Sequence, residues 1–263
     1  MAYALVWMRQ CLLDRGLRVA EADDWRERGR AEMGTVRGVM VHHTAGPRSG
    51  NMPSLDTLMH GRSDLPGPLA HLGLGRDGSF YLVAAGRANH AGAGDWRGIT
   101  SGNTSFIGIE VENVGTAADL PWPVKQRDAL VHGCAALLQH IGVGSEWLVG
   151  HKEYALPKGR KPDPLIDMDA LRRDVAAALA QARIFEPVPI EEPPGVGQGR
   201  PTLERDSSGE VVRHLQRALG LVADGQFGPR TEAAVREWQR DHGLVADGIF
   251  GPRSWARLDA LTA

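Results

Sequence analysis

"VRGVMVHH", residues 36–43, is a β-branched apolar run of strand length that ends on two histidines. A second run, "FIGIEVEN" over 106–113, has the same character, and "WLVG" over 147–150 reads as a shorter strand ending in Gly. Between them, "LAHLGLGRDGSFYLVA" over 69–84 predicts a hairpin or bent strand pair turning at Asp77-Gly78. Helical spacing follows in Leu130, Cys134, Leu137 and Ile141, and again in Leu171, Val175 and Leu179. This alternation predicts an α/β fold with a central mixed β-sheet flanked by helices.

At 263 residues the chain exceeds one average domain. Its clearest break is "IFEPVPIEEPPGVGQGRPT", residues 184–202, whose Pro and Gly predict an extended, partly stiff linker. The linker separates a body over 1–183 from a tail over 203–263. In the tail, "GLVADGQFGPR" at 220–230 recurs as "GLVADGIFGPR" at 243–253, a 23-residue period with one substitution in eleven positions. Each copy predicts an Asp-Gly turn, then Gly-Pro and a helix start, with Thr231 and Ser254 as N-caps. Val235 with Trp238, and Trp255 with Leu258, mark the two helices, and Val212, Leu215 and Leu219 mark one before them. The expectation is a small all-α three-helix domain, too poor in convergent ionisable groups to be an enzyme.

The 42% hydrophobic content suffices for a packed core, and a net charge of −2 gives no reason to expect nucleic acid or an anionic membrane surface as partner. Two cysteines cannot make a disulfide framework, and Cys11 and Cys134 read as small hydrophobes on helices. The N-terminal "MAYALVWMRQCLLDRGLRVAEADDW" lacks a basic start and a small-residue cleavage site, so it reads as an amphipathic helix rather than a signal peptide. No stretch approaches the roughly 18 apolar residues of a spanning helix. Synthesis in a cytoplasm, without membrane insertion, is the expectation.

His42 and His43 close a strand, and alternation sends their side chains to opposite faces. The one that shares the face of Val39 and Val41 is packed; the other is free to be a ligand. With His151 and Asp163 it would give a His-His-Asp set with one position open, as in catalytic zinc sites rather than closed structural ones. Lys161 and Asp163 each precede a proline, which favours extended backbone and sends residues two apart to one side. A Lys161 ammonium there can stabilise an oxyanion. On "FIGIEVEN", Gly108, Glu110 and Glu112 share a face, and two carboxylates there are costly unless they border a cleft. Glu110 beside a metal would be a general base. An edge strand with a solvated polar face fits the same spacing. H-E-x-x-H, G-x-S-x-G and G-x-x-x-x-G-K-[ST] are absent from the sequence.

Four blocks in order, "VMVHHTAG", "RDGSFYLVAAGRANHAG", "NTSFIGIEVEN" and "GHKEYALPKGRKPDP", resemble the zinc-dependent N-acetylmuramoyl-L-alanine amidases of the peptidoglycan-recognition-protein fold, over about residues 34–180. The resemblance implies that Zn²⁺ is held by His42, His151 and Asp163, with Glu110 as the catalytic glutamate and Lys161 as the lysine two residues before the last ligand. It places His90, in "NHAG", along the substrate cleft and leaves His43 structural. Some relatives carry a tyrosine just before the residue matching His71; this chain has Ala70, so catalysis would lean on Glu110 and Lys161. The tail is similar to the peptidoglycan-binding domain in Gly209 to Leu219, Asp224 to Thr231 and Asp247 to Trp255.

The activity implied by the resemblance is hydrolysis of the amide between the lactyl group of N-acetylmuramic acid and L-alanine of the stem peptide. Zinc would activate water, Glu110 would move the proton, and the tail would tether the enzyme to peptidoglycan. A wall anchor with no signal peptide matches a bacteriophage endolysin, made in the host cytoplasm, released by membrane disruption and expected to be monomeric. A non-catalytic peptidoglycan-binding protein and a stem-peptide peptidase are the rivals.

Overall fold

Among the residues that the computed structural model describes (3–181, 200–242, 244 and 248–262), the apolar runs become strands. In chain order these are β1 Val19–Glu21, β2 Gly38–His43, β3 Gly61–Arg62, β4 Leu65–Pro66, β5 Leu72–Leu74, β6 Phe80–Leu82, β7 Phe106–Val111 and β8 Leu148–Gly150. The helices are α1 Met8–Asp14, α2 Leu55–His60, α3 Gly102–Ser105, α4 Val124–Ile141, α5 His151–Tyr154, α6 Met168–Ala180, α7 Glu210–Ala218, α8 Pro229–Asp241 and α9 Pro252–Thr262. The chain divides into two compact units, residues 1–188 and 189–263. The expected linker lies outside the described residues except for its last three positions, and so does Asp247 of the second repeat. Among the described residues no helix is long and apolar enough to cross a membrane.

The first unit is built on a six-stranded sheet of order β1-β6-β5-β7-β2-β8. β5 and β6 form the expected antiparallel hairpin, turning at Gly78 with φ +83°, a left-handed conformation that glycine adopts without a Cβ clash. The other pairings are parallel, so the sheet is mixed, as expected. β7 is hydrogen-bonded on both sides, to β5 and β2, which removes the edge-strand alternative. Its register with β2 sets Glu110 opposite His42 and Gly108 opposite Met40.

Period-two alternation divides the sheet into a packed and a polar face. Val39, Val41, Ile107, Ile109 and Val111 join Leu130, Cys134 and Leu137 of α4, Leu171 and Val175 of α6, and Met8 and Leu12 of α1 in the main core. Each such buried aliphatic side chain contributes about 1.5–3 kcal/mol. The N-terminal helix is shorter than the expected amphipathic stretch, because the chain turns at Gly16 (φ +80°) and enters β1, which pairs with β6. On the opposite face, Met40, Phe106, Val149 and Tyr154 form a small apolar floor beside which polar residues collect.

In the second unit, α7, α8 and α9 enclose Val212, Leu215, Phe227, Val235, Phe250, Trp255 and Leu258, the expected three-helix arrangement. Thr231 and Ser254 are not N-caps. Pro229 and Pro252 take the first helical position, where a missing N–H costs nothing, and this moves both hydroxyls one turn inside. There each meets a glutamine: Gln216 Nε2 donates to Thr231 Oγ1 at 3.0 Å and Gln239 Nε2 to Ser254 Oγ at 3.4 Å. The same side chains accept from Gly225 N and Gly248 N through their oxygens, both at 2.9 Å. The 23-residue period therefore extends back to this pair.

Candidate metal centre and active site

His42 ends β2 on the face away from Val39 and Val41; His43 shares their face and packs there, 9% exposed. His151 sits just past β8 and opens the single turn α5. That turn is held from both ends. Glu153 accepts from Gly150 N at 2.8 Å and binds the Arg172 guanidinium of α6 through both oxygens, at 2.9 and 2.7 Å. Lys152 N donates to the Asp163 carbonyl at 2.6 Å, drawing the "GRKPDP" segment against α5. α6 is anchored in turn by its N-cap Asp167, whose carboxylate accepts from Asp169 N and Ala170 N.

These supports bring three donor atoms to one point. His42 Nδ1 lies 3.0 Å from His151 Nδ1 and 3.2 Å from Asp163 Oδ2, and His151 Nδ1 lies 3.0 Å from the same oxygen. All three residues are buried, and together they form a possible metal site. Two carbonyls decide where the lone pairs are. A carbonyl only accepts, so His151 Nε2, 2.9 Å from Ala91 O, carries a hydrogen, as does His90 Nε2, 3.2 Å from Phe106 O. His90 Nδ1 then accepts from His42 Nε2 at 3.0 Å. With those protons placed, His42 Nδ1, His151 Nδ1 and a carboxylate oxygen all direct lone pairs at one another, an arrangement that repels unless a cation stands among them. Donor atoms around a tetrahedral zinc stand roughly 3.3 Å apart, so the residues present fit such an ion.

Glu110 borders the set, its Oε1 4.0 Å from His42 Nδ1 and its side chain 16% exposed. Its other oxygen, Oε2, is buried with no hydrogen-bond partner. Burial, reinforced by the Asp163 charge and only partly offset by Lys161, raises its pKa well above the usual carboxylate range. Burial also lowers His42 to about 4, against the opposing pull of the Asp163 carboxylate. Asp163 goes the other way from Glu110: burial raises it, but the adjoining imidazoles of His151 and His42 outweigh that and hold it well below the carboxylate range. Lys161 is partly exposed, and its charge reaches both His42 and Glu110. His90 is 8% exposed with both ring nitrogens engaged.

The second carboxylate of the strand pattern, Glu112, has a different setting. It is fully buried and accepts from Ser54 N, Ser54 Oγ and Thr44 Oγ1 at 2.8–3.0 Å, tying α2 and the end of β2 to the sheet. Nothing in the sequence singles out Asn103. Its Oδ1 accepts from His90 N and Ala91 N, at 2.9 and 2.8 Å, and its place in "NTSF" beside an obvious strand gives no hint of that reach.

The family model described as N-acetylmuramoyl-L-alanine amidase matches residues 32–165, and one for a peptidoglycan binding domain matches residues 206–258. No curated protein matches. Among solved structures, a selenomethionine derivative of AmpD is 24% identical over 60% of this chain and 93% of its own, with a TM-score of 0.44. The amidase AmiD from E. coli, solved with anhydro-N-acetylmuramic acid-L-Ala-D-gamma-Glu-L-Lys, is 20% identical over 90% of this chain and 92% of its own, also with a TM-score of 0.44. A Burkholderia AP3 phage endolysin is 43% identical over 23% of this chain and 25% of its own, with a TM-score of 0.23. With just over half of its length matched, the chain belongs to the N-acetylmuramoyl-L-alanine amidase family.

Proposed function

We propose that the chain is a zinc-dependent peptidoglycan amidase that cuts between the lactyl group of N-acetylmuramic acid and the L-alanine of the stem peptide. One observation carries this: in a member of that family, three lone-pair donors converge beside a largely buried carboxyl with an unpartnered oxygen. His42, His151 and Asp163 would hold the ion. When bound, zinc supplies Lewis-acid polarisation of an amide carbonyl and activation of water. Glu110 takes a proton at Oε2 and returns it to the departing nitrogen, a task suited to a carboxyl whose burial keeps its pKa high. Lys161, partly exposed at the rim, offers its ammonium to the oxyanion.

Labour would be divided along the chain: residues 1–183 would be catalytic and 203–263 would hold the wall, raising the local concentration of enzyme on its polymer. That pairing suits a phage endolysin acting as a monomer on the host wall after release. The test is mass spectrometry of fragments released from defined sacculi, with and without a chelator. Stem peptides with a new L-alanine amino terminus, lost on chelation and restored by zinc, are expected. A new terminus on another residue would make it a stem-peptide peptidase, and intact sacculi in both conditions a binding protein.

A further inference from the structure

We propose that His90, together with the adjacent Ala91 carbonyl, is the outer support of the metal site: a positioning residue that fixes the tautomer and aim of the two ligand histidines rather than lining the substrate cleft. The inference rests on the zinc reading of this site.

Two backbone carbonyls start the chain of constraints. Phe106 O can only accept, so the proton of neutral His90 lies on Nε2 and its Nδ1 presents a lone pair to His42. His42 must then carry its proton on Nε2, which leaves Nδ1 as the ligand atom. Ala91 O does the same for His151 through one hydrogen bond. Ligand histidines commonly depend on such a partner for the other ring nitrogen, which sets both orientation and basicity. Here the two partners are consecutive residues, and a single atom pins them, since Asn103 Oδ1 accepts from both backbone N–H groups. Arg160 braces the same stretch from the ligand loop, donating to Ala93 O at 2.6 Å.

The sheet is shaped to admit the ring. A Cβ at position 108 would lie 2.6 Å from His90 Nδ1, so the glycine in "IGIE" makes the space in which His90 reaches His42. Without the imidazole, His42 Nε2 loses its buried acceptor, and the tautomer with the proton on Nδ1, which cannot ligate, gains population.

The experiment measures zinc dissociation by chelator competition on the full chain carrying His90→Phe or His90→Asn, with KM and kcat at saturating zinc and circular dichroism as a check of folding. Phenylalanine keeps the ring's bulk and removes both nitrogens; asparagine restores an acceptor near the place of Nδ1. His90→Phe should weaken zinc binding about 10–100-fold, His90→Asn should recover most of it, and KM of the zinc-saturated enzyme should stay where it was. Should His90→Phe fail to fold, Asn103→Ala loosens the same stretch while keeping every ring, and a smaller loss of zinc affinity is expected. Wild-type affinity in these variants, or a raised KM with affinity unchanged, overturns the inference and returns His90 to the cleft. A native chain that binds no zinc at all overturns this inference and the zinc reading together.

Discussion

Gln216 in the second unit and Glu110 in the first are both polar and both largely withdrawn from water, yet their surroundings differ in kind. Gln216 is 2% exposed and fully engaged: its oxygen accepts from Gly225 N, and its nitrogen donates to Asp224, Gln226 O and Thr231. Glu110 keeps one oxygen buried and unpartnered, and His71, fully buried in the same unit, does so with Nε2. Among the described residues, none of the second unit's buried side-chain polar atoms lacks a partner. An unmet buried polar atom costs about 1–3 kcal/mol. The tail avoids that cost because its polar core only has to hold a shape. The body sustains it at several positions, and one of them, Glu110, borders the proposed metal ligands.

The contrast breaks most visibly at Glu110. Replacing it with Gln keeps the shape and removes the proton carrier, so turnover should fall by about 10²–10⁴-fold with zinc content unchanged by metal analysis. Near-normal turnover would reduce the unpartnered oxygen to an accident of packing.

A second, intermediate effect is on pH. His42, His71 and His90 are all lowered by burial, to about 4 and about 3 for the first two. Their folded pKa values lie below the unfolded value of about 6.5, so between these limits the unfolded chain binds more protons. Stability of the metal-free body is therefore present above about pH 6.5 and is lost progressively as pH falls toward 4 and 3. Glu110, raised by burial, opposes this from about pH 4.3 upward, one carboxyl against three imidazoles. The tail buries neither His214 nor His242. Hydrogen exchange between pH 7 and 4 should show protection falling in β2 and β7 much more than in α7 and α8. Equal losses would erase the difference between the units.

The smallest effect sharpens the comparison from the other side. Gln216→Ala should destabilise the tail by about 1–3 kcal/mol in urea unfolding, and Gln239→Ala, one repeat later, by a similar amount. Zinc affinity should not move in either.

Much of this was legible because the relevant patterns are local. Alternation along "VMVHH" is enough to send His42 and His43 apart, and β-branched runs with helical spacing between them specify a mixed sheet under helices. The tail's repeat was visible for the same reason, since turn chemistry recurs letter for letter. What escaped notice depends on partners that no letter announces. A backbone carbonyl such as Phe106 O or Ala91 O looks alike in every residue, so the constraint on His90 could not be read. β1 is three residues long and owes its existence to pairing with β6. Thr231 and Ser254 looked like caps because proline at the first helical position hides where the helix begins. Period alone groups Glu112 with Glu110, and only contacts with Thr44 and Ser54 separate a brace from an acid.

The clasp between Arg172 and Glu153 has a practical meaning for anyone cutting the gene. Residues 32–165 suffice for the family to be recognised, but Arg172, which braces the turn that presents His151, lies beyond them, and α1 lies before them. A fragment trimmed to the recognisable segment would keep all three proposed ligands and lose the clasp that sets one of them. The smallest piece worth expressing is thus longer at both ends than the piece that identifies it.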